Sequence, residues 1–207
     1  WERRVAKVRM GMVGGGEGAF IGGIHRMAAA MDGEIELVCG AFSGDPERSA
    51  RSGAMLYLEP ERVYGDYRQM MSAEAALPAD QRMQFVAIVT PNDLHFPVAE
   101  AALGAGFHVL SDKPATLSLA QALQLRERVR DSGLLYGLTH TYTGYPLVKE
   151  ARERISRGEL GKIRKVVVEY TQGWLADRQE DLGNKQASWR LNPAQAGVSS
   201  CMGDIGV

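Results

Sequence analysis

Glycines crowd one short stretch of this chain, Gly14-Gly15-Gly16-Glu17-Gly18, and Gly22 follows four residues later. The run sits between an apolar segment and a helical pattern, an order that suits pyrophosphate binding. Glycine lets the chain turn tightly and brings backbone N–H groups close to phosphate oxygens, and the helix N-terminus adds partial positive charge. Gly14 and Gly16 take the first two places of a dinucleotide fingerprint; Gly22 takes the third if three extra residues loop out, and Gly18 belongs to the same loop. A purely structural glycine turn is the competing reading. The position at the first strand–helix junction favours the phosphate.

Two later strand ends extend the chemistry. The end of the second strand is where an acidic residue would take the ribose hydroxyls of NAD. Ser43 and Gly44 stand there instead, with Arg48 one helical turn on. Ser and Arg can hold a 2′-phosphate that a carboxylate would repel, which leans the cofactor, NAD or NADP, towards NADP. The other reading of Arg48 is a charge on a solvated helix face. Lys113 lies just past the fourth strand, at the sheet edge where open α/β folds bind ligands. Its ammonium can hold a substrate oxygen or stabilise a developing alkoxide. An ordinary surface lysine is the alternative. Oxidising an alcohol removes a hydride and a proton, so such a site needs a nicotinamide for one and a base for the other.

Strands and helices alternate through the first two thirds of the chain. Apolar runs at residues 5–13, 35–42, 85–89, 107–110 and 134–138 read as strands. Ile24, Met27, Ala28 and Met31 fall at helical spacing after the glycines. Asp45-Pro46 supplies a cap and a first-turn proline for the next helix. Residues 97–103 read as a short helix. Ser118 and Gln121 form a capping box for a helix whose expected buried stripe is Leu119, Ala122, Leu123 and Val129, stopped by Gly133. Near-continuous apolar strands joined by helices predict an α/β fold, a doubly wound parallel sheet of Rossmann type. The rhythm changes near Thr139. Pro146 opens a helix that stops at Gly158, and a long strand is expected over 163–172. The expected domains are 1–138 for the dinucleotide and 139–207 as the incomplete start of a C-terminal α/β domain.

Three further segments complete a series: Thr90-Pro91-Asn92-Asp93-Leu94-His95, Ser111-Asp112-Lys113-Pro114 and Cys201-Met202-Gly203-Asp204-Ile205-Gly206. With residues 14–25 they resemble, in order and spacing, the glucose–fructose oxidoreductase, inositol dehydrogenase and rhizopine-catabolism (Gfo/Idh/MocA) family, over essentially the whole chain. The resemblance implies a Rossmann domain followed by an open-sheet domain that covers the active site and builds homo-oligomers. It places Thr90, Pro91, Asn92 and His95 beside the cofactor. It also places Lys113-Pro114 near nicotinamide and substrate, with Asp112 where the family has Glu. It further implies an Asp and, four residues on, a His on one helix face at the reacting hydroxyl. Asp204 matches the Asp, with a helix N-cap as the plainer reading. The His would be residue 208, one past the last, so this stretch of chain is expected to lack turnover. The family often carries an arginine after the fifth strand, where this chain has His140-Thr141-Tyr142-Thr143-Gly144-Tyr145. Tyr142 and Tyr145 are either substrate-facing hydroxyls or core aromatics. Trp189-Arg190 resembles the Trp-Arg that often precedes the catalytic helix, and Arg190 is a substrate candidate.

The formal net charge of -1 and the lack of a long basic run argue against a nucleic-acid partner. No apolar run approaches the roughly 20 residues of a membrane span. Cys39 and Cys201 match neither a metal nor a disulfide pattern and read as buried thiols, which points to the cytoplasm. The opening Trp-Glu-Arg-Arg leaves removal of a leader open. The expected function is hydride transfer between a nicotinamide dinucleotide and a hydroxyl of a sugar, cyclic polyol or similar small molecule. An NAD-dependent glycoside hydrolase with a tightly held cofactor and a non-catalytic NADP-binding sensor are the alternatives.

Overall fold

The computed structural model describes residues 6–173, 176–179 and 181–197. Five strands, β1 (Val8–Gly14), β2 (Ile35–Ala41), β3 (Phe85–Val89), β4 (His108–Ser111) and β5 (Tyr136–Leu138), form one sheet in the order β2-β1-β3-β4-β5. Every pairing is parallel. The order reverses between β1 and β3, which opens a crevice at their C-terminal ends. Helices α1 (Phe20–Ala30), α2 (Pro46–Met55), α3 (Tyr67–Ala76), α4 (His95–Gly104) and α5 (Leu119–Ser132) connect the strands. Beyond β5 come α6 (Pro146–Ser156), α7 (Lys185–Arg190) and α8 (Pro193–Ala196).

Strand periodicity divides the core in two. Val86 and Ile88 of β3 pack with Met70 and Met71 of α3, Val98 and Ala102 of α4, and Leu125 of α5. Met10 and Met12 of β1 and Ala87 and Val89 of β3 face the other way, against Ile21 and Ala29 of α1. Both faces of the sheet are thus covered, as its apolar strands require.

Local signals end the helices where expected. Asp45 Oδ1 accepts from the Glu47 and Arg48 amides at 3.0 and 3.2 Å. Ser118 Oγ accepts from Gln121 N at 3.3 Å, while Gln121 Oε1 accepts from Leu117 N at 3.0 Å. Gly133 closes α5 in the left-handed region, with φ 65°.

Two expectations, the buried stripe of α5 and the strand over 163–172, need correction. Leu119 and Leu123 of α5 are exposed, and the helix rests on Leu125 and Val129. Leucines run around two sides of this helix, so the pattern alone did not select the face that packs. The helix expected from Ile24, Met27 and Met31 is α1; these three side chains are exposed, Ile24 at the cleft, while Ile21, Gly22 and Ala29 face the sheet. The strand expected over 163–172 is absent: no described segment donates a ladder to it, and Val166, Val167 and Val168 are exposed. Apolar β-branched residues set strand propensity, but a strand exists only with a paired neighbour.

Sequence reasoning also passed over α3, which Asp66 caps by accepting from Arg68 N and Gln69 N. This helix carries Glu74, a fully buried carboxylate. Arg62 donates to both of its oxygens, Tyr64 Oη to Oε1 at 3.1 Å and Met83 N to Oε2 at 2.9 Å. Burial, with Glu74 nearby, pushes the Cys39 thiol far above its usual range, so this cysteine is an inert core group. Glu74→Ala leaves Arg62 without its carboxylate and is expected to cost about 3 kcal/mol in urea denaturation. A loss below about 1 kcal/mol would show the network to be incidental.

Candidate active site

The C-terminal ends of all five strands open on a single cleft of about 1310 Å³. At its start, β1 delivers Gly14 and Gly15 with φ of 83° and 72°, a region that side chains rarely adopt. A Cβ on Gly22 would stand 2.4 Å from Gly15 Cα, so glycine at both places lets α1 begin directly against β1. Ala19 N donates to Gly16 O at 2.9 Å and closes the turn. The α1 N-terminus, at Ala19, Phe20 and Ile21, then lines the cleft with no acidic residue in its first turn. Arg26 Nη1 donates to Gly15 O at 2.8 Å and braces the loop from behind.

Gly22 thus packs directly against Gly15, and the other glycines of the run take different places. Gly15 lines the cleft; Gly16 does not. A Cβ on Gly16 would meet Ser52 Oγ at 2.7 Å and Phe42 O at 2.8 Å, so this glycine brings the loop against β2 and α2. Gly18, with φ 73°, serves an exposed turn outside the cleft.

At the far end, Ser43 and Gly44 line the cleft and Arg48 does not. Arg68, at the start of α3, is a cation in the lining. Its guanidinium lies 4.4 Å above the Tyr67 ring and 3.8 Å from Asp66 Oδ2. Neither Tyr67 nor Arg68 belongs to a recognisable motif, and only the fold of the loop before α3 brings them here.

Thr90, Pro91 and Asn92 form the middle of the wall. Thr90 Oγ1 is buried with no hydrogen-bond partner among the described residues. Asn92 Nδ2 donates to Ala196 O at 3.0 Å and ties this loop to α8. His95 is 1% exposed and bridges two loops, with Nδ1 2.6 Å from Pro114 O and Nε2 3.0 Å from Thr90 O. Its visible work is joining the loop after β3 to the loop after β4.

The loop after β4 carries the charged groups. Burial opposes ionisation of Asp112, but His25 and Thr139 more than offset it and hold the carboxyl below its ordinary range. Burial pulls the Lys113 ammonium below its usual value, and Asp112 beside it works the other way. Pro114 follows in the same wall. Arg190 of α7 faces this group half-buried, its guanidinium 5.1 Å from the Trp189 ring, and burial lowers its pKa. Tyr142 and Tyr145 line the cleft partly exposed, in an edge-to-face pair 5.7 Å apart. Tyr142 Oη lies 2.8 Å from Tyr170 Oη, a third hydroxyl that sequence reasoning missed. Asp204 and Cys201 lie outside the described residues.

The donor set fits a dinucleotide. Helix amides and glycines suit a pyrophosphate, the unpaired Thr90 hydroxyl suits a polar group beside it, and Lys113 and Arg190 suit an oxygen-rich molecule at the other end. A five-stranded Rossmann sheet with these features defines a dinucleotide-binding domain of the oxidoreductase class. Residues 8–140 match the family model described as "Oxidoreductase family, NAD-binding Rossmann fold", and residues 148–207 match the "GFO/IDH/MocA C-terminal domain". The chain belongs to the Gfo/Idh/MocA oxidoreductase family.

Among its relatives, an uncharacterized oxidoreductase, YfiI, of Bacillus subtilis is 34% identical over 99% of this chain and 52% of its own length. Levoglucosan dehydrogenase of Pseudarthrobacter phenanthrenivorans is 29% identical over 96% of this chain and 48% of its own. The crystal structure of an inositol dehydrogenase homolog complexed with NAD+ from Azotobacter vinelandii superposes with a TM-score of 0.92. It is 40% identical and covers 99% of this chain, which covers 52% of it. The chain thus spans about half the length of these relatives. Among the described residues, no helix is long and apolar enough to cross a membrane.

Proposed function

We propose that the whole protein transfers a hydride between a nicotinamide dinucleotide and a hydroxyl of a sugar or cyclic polyol. One observation carries this reading: a single cleft runs from the glycine turn at Gly14 and Gly15 to the half-buried Lys113. The cofactor supplies the hydride acceptor when bound. Gly14, Gly15 and the first amides of α1 hold its phosphates, and Thr90, Pro91 and Asn92 support it along the wall. Lys113 holds the substrate hydroxyl and stabilises the oxygen as its proton leaves. Asp204 is assigned the proton by motif alone. Arg190, Tyr142 and Tyr145 offer hydrogen bonds to the remaining hydroxyls, which suits a polyhydroxyl ring better than an apolar alcohol. Reduction of NAD or NADP with myo-inositol and levoglucosan, followed at 340 nm, tests the reading. Absence of turnover across a panel of cyclic polyols and sugars would reject it.

The same reading favours NADP. No carboxylate ends β2, Ser43 and Gly44 leave room at that edge, and Arg68 supplies a cation. The expected result is tighter binding of NADP, reduced by Arg68→Ala and unaffected by Arg48→Ala. An NAD advantage of tenfold, about 1.4 kcal/mol, reverses the assignment. A cytoplasmic location, a domain boundary near residue 139 and self-association through the C-terminal part belong to this proposal. The exposed run Val166–Val168 motivates the last of these, and light scattering on the whole protein decides it.

A further inference from the structure

Asp112 is enclosed by side chains from separate elements. His25 Nε2, on α1, stands 3.5 Å from Asp112 Oδ1, and their side chains are only 10% and 15% exposed. Thr139 Oγ1, just past β5, lies 2.8 Å from the same carboxylate oxygen and 2.8 Å from Ser111 O. The remaining titratable or charged neighbours are His95 of α4, Lys113 itself and Arg190 of α7. None of this makes His25 a wall of the cleft: it reaches Asp112 from beneath, one turn past the residues that face the phosphate end.

We propose that His25 is a positioning residue that acts through Asp112 to fix the place and charge of Lys113. The inference rests on the role given to Lys113 above. Helix α1 is pinned at its start by the contact between Gly22 and Gly15 and braced by Arg26 on Gly15 O. Through His25 the same rigid helix also holds the loop after β4, so one element references both ends of the cleft. Such support matters because a site works only when its reacting groups are held to a fraction of an ångström.

The electrostatic part follows from the same contacts. His25 and Thr139 keep Asp112 ionised in spite of its burial. Ionised Asp112 in turn offsets part of the burial that pulls the Lys113 ammonium below its usual value.

Two readouts test the proposal in the whole protein. The first is the pH dependence of Lys113 acetylation by acetic anhydride, followed by mass spectrometry without cofactor. Asp112→Asn is expected to move its midpoint down by about half a pH unit or more, because it removes the negative charge facing the ammonium, and His25→Ala is expected to move it the same way, because a carboxylate released from His25 no longer stays beside the ammonium. His25→Gln, which keeps an N–H near Asp112, is expected to restore most of the shift. The second readout is kcat/KM, expected to fall at least about tenfold in each of His25→Ala and Asp112→Asn. The double variant should lose little more than the worse single, as coupled residues do, and dinucleotide affinity should stay within about threefold. Unmoved acetylation midpoints, or fully additive losses, overturn the proposal and leave His25 a packing residue. If Lys113→Met retains turnover, the role of Lys113 falls, while the acetylation midpoints still decide whether His25 sets its charge.

Discussion

Lys113→Met in the whole protein is expected to lower kcat/KM by about 10²–10³-fold while leaving dinucleotide affinity nearly unchanged. Methionine keeps much of the lysine stem and its packing but removes the ammonium that faces Asp112 and the substrate end of the cleft. The phosphate end, formed by Gly14, Gly15 and the start of α1, is untouched. An interaction made mainly in the transition state shows itself as lost kcat with little change in cofactor binding. Stopped-flow turnover and a fluorescence titration of the reduced cofactor measure the two separately. An active Lys113→Met enzyme would place the chemistry elsewhere, and an equal loss of affinity would make Lys113 a binding group instead.

Gly22→Val is expected to abolish dinucleotide binding, by about 100-fold or more, because even the first added carbon lies 2.4 Å from Gly15 Cα. The backbone must yield, so α1 leaves its seat on β1 and its amides no longer meet the phosphates. Gly23→Ala, next in sequence, is the control. Its added carbon finds no atom closer than 3.9 Å, and its glycine sits inside the helix. That variant should bind normally and gain about 0.5–1 kcal/mol of stability from reduced freedom of the unfolded chain. Equal binding by both variants would mean that the close approach of α1 to β1 does not create the phosphate site. If Gly22→Val fails to fold, binding of the dinucleotide by Gly22→Ala, which adds one carbon only, decides the same point.

The local parts of the fold were legible because each rests on a short-range cause. Asp45, Ser118 and Gly133 declared their helix ends through capping and the left-handed turn. The apolar runs of β1 to β5 declared buried parallel strands. Faces were less legible. Leu119 and Leu123 looked like a buried stripe, and Ile24, Met27 and Met31 lay at helical spacing, yet all five are exposed. Periodicity identifies a helix, whereas the face that packs depends on where the neighbouring element lies.

The candidate site divides in the same way. Residue types alone established the glycine turn, the Thr90–Asn92 loop and Lys113 at a strand end, since in a parallel sheet every such loop must emerge on one edge. They also settled what could not be there, an acidic residue at the end of β2. Tertiary structure decided the rest. It gave the cleft to Gly15 and sent Gly16 against Ser52 and Phe42. It set Arg68 rather than Arg48 in the lining, made His95 a buried bridge, and placed His25 beneath Asp112. These pairings join residues from different elements, up to 87 positions apart for His25 and Asp112. No local propensity encodes such distances; the stacking of α1 and the sheet edge creates them.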